Sequence, residues 1–207
     1  MIKGVKICGV SDLETLKYII NHPHPPQFVG FITNYKKSKR FVEFNTLEKL
    51  TNLKNNKVSF VSVLVNPDDE ILEKIKDLHL DYYQLYNVDI GRTKLIKNKY
   101  NKKIISSIMI QNKEDVKNYK LYQNISDIIL FDGKGYEKSI GFDHKLLDNI
   151  PNHITKMIAG NIKIDNIPVI KNKDYIIDLS GSLENEEGKK DLQKINYFLN
   201  KVKQYEN

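Results

Sequence analysis

Short runs that are apolar on both faces alternate with amphipathic stretches along the whole chain, and this alternation leaves few folds open. The runs are Val5–Cys8, Phe28–Thr33, Val58–Val65, Tyr82–Leu85, Lys103–Ile110, Ile125–Phe131, Thr155–Ala159 and Tyr175–Leu179. Each is rich in Val, Ile, Leu or aromatic residues, which is how a parallel strand covered by helices reads. Between them lie Asp12–Ile20, Leu47–Asn52, Asp68–Leu78, Arg92–Tyr100, Lys113–Tyr122, Asp143–Asp148 and Gly188–Lys203. In the last of these, Leu192, Ile195, Phe198, Leu199 and Val202 keep helical spacing. Ser11-Asp12 and Asn66-Pro67-Asp68 are helix starts, whereas Asp165-Asn166-Ile167-Pro168 allows only a short helix. Eight strands alternating with helices, without a long linker, predict an α/β fold: a (β/α)8 TIM barrel, one domain over residues 1–207. A doubly wound open sheet is the competitor, but it usually has fewer strands.

Composition narrows the function classes. One cysteine, Cys8, cannot form an internal disulfide, so a reducing cytoplasm is expected. No apolar run approaches the roughly 18 residues of a membrane span, and the chain opens straight into a strand without an apolar leader. The net charge of +7 raises the question of nucleic acid. The cations are nearly all lysine, mixed with Asp and Glu in every segment, and only Arg40 and Arg92 are arginines. A nucleic-acid surface gathers its charge on one face and favours arginine, so neither nucleic acid nor membrane is expected as a partner. The histidines show no ligand spacing, and no metal site is expected.

The carboxyl ends of the strands carry the chemistry. They present Cys8-Gly9, Ser38-Lys39-Arg40, Asn66, Gln84-Leu85, Asp132-Gly133, Ala159-Gly160-Asn161 and Asp178-Leu179-Ser180-Gly181-Ser182-Leu183-Glu184. In a barrel all of these fall on one rim, as do the long loops Thr33–Phe44 and Asp132–Phe142. Each has a plain structural alternative. A lone cysteine is commonly buried and inert, and an aspartate before a glycine commonly makes an Asx turn. An arginine among lysines is commonly exposed, and Asp178 can simply cap the turn that follows it.

In order along the chain, these segments resemble the phosphoribosylanthranilate isomerase family of tryptophan biosynthesis. Lys6-Ile7-Cys8-Gly9-Val10-Ser11 is similar to its K-I-C-G-[IL]-[TS], and Ser38-Lys39-Arg40-Phe41-Val42 to S-x-R-[YF]-[VI]. Val63-Leu64-Val65-Asn66, Gln84-Leu85, Leu130-Phe131-Asp132 and Gly141-Phe142-Asp143 echo V-x-V-F-V-N, Q-L-H-G, L-L-D and T-F-D-W. Ile158-Ala159-Gly160-Asn161-Ile162 resembles L-A-G-G-L, and residues 178–184 resemble D-V-S-S-G-[VI]-E. The chain departs from the family at Tyr86-Asn87, at Asn161, at Ser180-Gly181-Ser182, and in a thinned glycine loop over residues 133–139.

The resemblance implies a cofactor-free Amadori rearrangement of a phosphorylated small molecule, by a monomer or homodimer. It assigns the base to Cys8, as thiolate, and the acid to Asp132. It implies substrate contacts from Arg40 (to the anthranilate carboxylate), Gln84 and Asp178, and a phosphate cradle at Gly160, Asn161, Ser180, Gly181 and Ser182. The chemistry suits those residue types. Opening a sugar ring at C1 needs an acid at the ring oxygen, and isomerisation needs a base at C2. Two rival readings are a related isomerase of histidine biosynthesis, which has aspartate where Cys8 stands, and a barrel that binds phosphorylated ligands without turnover.

Overall fold

The computed structural model describes residues 2–135, 140–167 and 174–205. Eight parallel strands close into a barrel in chain order, β8 pairing with β1. They are β1 (Ile2–Cys8), β2 (Phe28–Ile32), β3 (Ser59–Val65), β4 (Tyr82–Tyr86), β5 (Lys103–Ile110), β6 (Ile128–Gly133), β7 (Lys156–Ile158) and β8 (Tyr175–Leu179). The helices are α1 (Leu13–Asn21), α2 (Phe44–Thr51), α3 (Asp69–Ile75), α4 (Ile90–Tyr100), α5 (Lys113–Val116), α6 (Tyr119–Tyr122) and α7 (Leu192–Lys203). None of the described helices is long and apolar enough to cross a membrane.

Side chains alternate across each strand, and the two faces feed two apolar clusters. One lies between strands and helices and includes Ile7, Phe31, Leu64, Tyr83, Phe131, Ile177 and Phe198. The other fills the barrel and includes Cys8, Phe28, Val61, Ile105, Leu130, Met157 and Ile176. The inner face of β6 therefore runs from Ile128 through Leu130 to Asp132, and that of β8 from Ile176 to Asp178. On β1 it reaches Lys6 and Cys8. Register sets Cys8 opposite Gly30, Lys6 opposite Asp178 and Met109 opposite Asp132.

Short polar side chains start most helices by accepting amide N–H groups that the first turn leaves orphaned. Asp12 accepts from Thr15, Asp68 from Ile71, Asp89 from Arg92, and Asp191 from both Gln193 and Lys194. These caps explain the differences from the sequence pattern. The last helix begins at Leu192, not Gly188, because Asp191 is its cap and Gly188 turns at φ +78. The stretch expected as one helix over residues 113–122 is two short ones, the first closed by an Asn112–Asp115 capping box. The sixth strand starts at Ile128, because Asp127 turns its carboxylate to the Ile104 amide and Lys97. After β7 a 3-10 turn forms over Ile164–Asn166, and Pro168 lies outside the described residues.

Candidate active site

Nine of the ten residues expected at the site line one cavity of about 390 Å³ at the carboxyl ends of the strands. They are Cys8, Arg40, Asp132, Gly160, Asn161, Asp178, Ser180, Gly181 and Ser182. Gln84 is the exception. It is buried on the inner face of β4, below the cavity wall, where its Nε2 donates to the Tyr86 hydroxyl at 3.3 Å. Tyr136–Ser139 of the thinned loop lie outside the described residues.

The first wall is β1 with β8. Lys6 is wholly buried, and its Nζ donates to Asp178 Oδ2 at 2.8 Å. Burial opposes the Lys6 charge, but Asp178 and then Cys8 more than offset this, and its pKa rises. For Cys8, burial pushes the thiol up, Lys6 pulls it down, and burial wins. Burial therefore favours the thiol over the thiolate in the resting site. Gly30 makes room for the pair: a Cβ there would lie 3.0 Å from both Cys8 Sγ and Lys6 Cε. Asp178 is thus an interior ion-pair partner and not a turn cap.

The second wall is β6 with β4. Asp132 is the penultimate residue of β6 and not the loop aspartate of an Asx turn. The Tyr86 hydroxyl donates to its Oδ2 at 2.8 Å. Burial pushes the Asp132 carboxyl up to about 7, against the pull of the Tyr86 hydrogen bond. At neutral pH a large share of it holds a proton, as a general acid must.

The third wall holds Arg40, which is buried, contrary to the plain alternative of a surface cation. Its Nε and Nη2 donate to the two carboxylate oxygens of Glu184, the second at 2.9 Å. Glu184 also accepts from Lys190 at 2.8 Å, and Lys190 in turn donates to the Ser180 carbonyl at 3.1 Å. Burial favours the protonated Glu184, but Arg40 and Lys190 outweigh it and hold the carboxyl down at about 2. Gly9 is explained here. It turns at φ +74, and a Cβ on it would stand 2.5 Å from Arg40 Cδ. Its space is filled by Arg40 rather than left for ligand.

The fourth wall is made of two turns. Gly160 and Asn161 are consecutive left-handed residues, at φ +96 and +48. Asparagine serves where the family pattern has glycine because it tolerates this region better than most residues. After β8, Ser180 leads into a 3-10 turn, Gly181–Leu183, and its hydroxyl donates to the Cys8 carbonyl at 3.1 Å. Among the described residues, the backbone N–H groups of Gly160, Asn161, Gly181 and Ser182 meet no protein acceptor. The Ser182 hydroxyl is buried without a partner as well. Unpaired donors at the rim of a pocket form a ready anion cradle.

Four residues with clear structural roles had no role in the sequence reading: Lys6, Tyr86, Glu184 and Lys190. Alternation back from Cys8 points Lys6 inward, and alternation on from Gln84 does the same for Tyr86. Glu184 closes the segment that resembles D-V-S-S-G-[VI]-E, but nothing in it points to Arg40, and nothing announces Lys190.

A family model described as N-(5'phosphoribosyl)anthranilate (PRA) isomerase matches residues 5–201. An N-(5'-phosphoribosyl)anthranilate isomerase of Bacillus cereus is 31% identical over 97% of this chain and 98% of its own length. One from Rhizobium rhizogenes is 30% identical over 98% and 95%. The crystal structure of phosphoribosyl anthranilate isomerase from Thermotoga maritima has the same fold, with a TM-score of 0.87 at 24% identity over 99% of this chain and 100% of that one. With the strand-end residues gathered on one cavity and a family match across nearly the whole barrel, the chain belongs to the N-(5'-phosphoribosyl)anthranilate isomerase family.

Proposed function

We propose that the chain converts N-(5'-phosphoribosyl)anthranilate into 1-(2-carboxyphenylamino)-1-deoxyribulose 5-phosphate, the Amadori step of tryptophan biosynthesis. One observation carries this reading beyond family membership. A buried carboxyl that titrates near 7 and a thiol stand on two walls of a cavity whose third and fourth walls offer a cation and unpaired amides. Asp132 protonates the ribose ring oxygen as the C1–O bond breaks. The anilino nitrogen lone pair forms the C1=N bond. Cys8, as thiolate, then takes the C2 proton; the C2–H electrons form C1=C2, and the C=N pair returns to nitrogen. Transfer of the enol O–H proton to C1 gives the ketose, so no atom is gained or lost.

The remaining residues bind. Phosphate lies on the amides of Gly160, Asn161, Gly181 and Ser182 with the Ser182 hydroxyl. Asp178 Oδ1, buried without a hydrogen bond of its own, takes a substrate hydroxyl. Arg40, its plane fixed by Glu184, meets the anthranilate carboxylate. Gln84 acts through Tyr86 rather than on substrate. Every wall comes from one chain, so a monomer or a homodimer serves equally. A reduced Cys8 suits the cytoplasm.

Protonation sets the pH dependence. The competent pair is Asp132 protonated with Cys8 ionised. Because Asp132 titrates near 7 and burial lifts Cys8 above the ordinary thiol range, this pair is a minority form. In the free enzyme, kcat/KM rises from the acid side, levels at the Asp132 value and falls above the Cys8 value. The test is the loss of substrate fluorescence on adding the purified chain, coupled to removal of product. Turnover lowered by about 10²-fold or more in both Cys8→Ala and Asp132→Asn supports the reading. Absence of turnover by the wild type overturns it.

A further inference from the structure

We propose that Tyr86 is a positioning residue for the acid: its phenol pins Oδ2 of Asp132 and leaves Oδ1 as the oxygen that hands a proton to the substrate. This rests on the reading of Asp132 as the acid. The family pattern has histidine at this position, so the device belongs to this chain's own sequence.

The two oxygens of Asp132 differ in their surroundings. Oδ2 accepts the Tyr86 hydroxyl at 2.8 Å, and that hydroxyl is itself held from below by Gln84 Nε2 at 3.3 Å. Oδ1 is buried and takes no hydrogen bond of ordinary geometry. It lies beside the turn after β7, where a Cβ on Gly160 would sit 3.3 Å away. With phosphate on that turn, the ribose ring lies against Oδ1. A protonated carboxyl donates through one oxygen, and the tether on Oδ2 decides which.

Tyr86 can hold this post through the whole cycle. Burial, and then the charge of Asp132, raise its pKa well above the ordinary phenol value, so it stays a donor whether Asp132 is protonated or not. The other charged groups facing Asp132 are Asp178 on β8 and Lys6 on β1, which push its pKa up and down respectively; Cys8 on β1 faces Tyr86. Neither Asp178 nor Lys6 hydrogen-bonds to the Asp132 carboxyl. Tyr86 is therefore the side chain that orients it.

The test is the pH profile of kcat/KM for wild type, Tyr86→Phe, Tyr86→His and Asp132→Asn. Tyr86→Phe removes one oxygen atom and keeps the ring. Losing a hydrogen bond to a carboxylate should move the low-pH limb up by about one pH unit. Tyr86→His keeps a donor and should bring the limb back toward wild type. A limb that stays put in Tyr86→Phe while Asp132→Asn is inactive overturns the Tyr86 proposal alone. Full activity in Asp132→Asn removes the acid assignment and this proposal with it.

Discussion

Asp132 and Asp178 stand at matching places on opposite sides of the site, and their difference is instructive. Each is inward-facing and close to the carboxyl end of its strand, Asp178 buried and Asp132 half-buried. Each accepts a hydrogen bond of 2.8 Å, Asp132 from a phenol and Asp178 from an ammonium. Burial raises both carboxyls and outweighs the opposing neighbours in each; the largest opposition at Asp178 is the Lys6 charge, and at Asp132 the Tyr86 hydrogen bond, with Lys6 adding a smaller pull. The distances are alike, and what differs is the donor. With Lys6 the carboxyl forms an internal ion pair that anchors the Cys8 wall. With Tyr86 it can exchange a proton near neutrality.

The largest effect that would break this comparison is on turnover. Asp132→Asn keeps the shape but removes the transferable proton, and kcat should fall by about 10²- to 10⁴-fold in a single-turnover assay. The same variant should be the more stable protein at neutral and alkaline pH. A carboxyl whose folded pKa is raised stabilises the fold below its unfolded value of about 4, and that contribution is lost as pH rises through about 7. Urea denaturation on either side of that window checks the sign. An Asp132→Asn variant that is both active and less stable would make Asp132 a structural residue.

The next effect is on stability. Lys6→Met leaves the Asp178 carboxylate buried without its partner and should cost about 3–5 kcal/mol in denaturant unfolding. Lys6→Met with Asp178→Leu should recover most of this. If the single variant lost little, the ion pair would not be what distinguishes the two walls. Cys8→Ala should reduce kcat by about 10²-fold with KM nearly unchanged, and Cys8→Ser nearly as much, because a hydroxyl is the weaker base. Smaller still, Arg40→Lys keeps a charge but loses the fork on Glu184, and KM should rise by about tenfold, roughly 1.4 kcal/mol. An analogue without the anthranilate carboxylate should be insensitive to that change. Equal loss with the analogue would assign Arg40 to the loop alone.

The fold was largely legible because parallel strands buried on both faces leave an unmistakable apolar pattern. Lys103–Ile110 and Tyr175–Leu179 are strands over those same residues. Boundaries slipped where one cap decides them, as at Asp191 and Asp127. The cavity residues were legible because strand ends converge in a closed barrel, whatever their separation in sequence. Their partners were harder to read. The resemblance assigns Arg40 to the substrate carboxylate, and only the folded chain brings Glu184, 144 residues away, onto its guanidinium. Gln84 was expected to touch substrate, but alternation alone does not say how deep the cavity floor lies. The ionisation states of Cys8 and Asp132 depend on burial and on neighbours from other strands, which no local pattern encodes.

The central claim is that Asp132 keeps an exchangeable proton at working pH. The most direct measurement is a carbon-13 NMR titration of the aspartate carboxyls, with the Asp132 signal assigned by its loss in Asp132→Asn. A midpoint near 7 is expected. A midpoint in the ordinary carboxylate range, about 4, would contradict the account, because the acid would then already be spent at neutral pH.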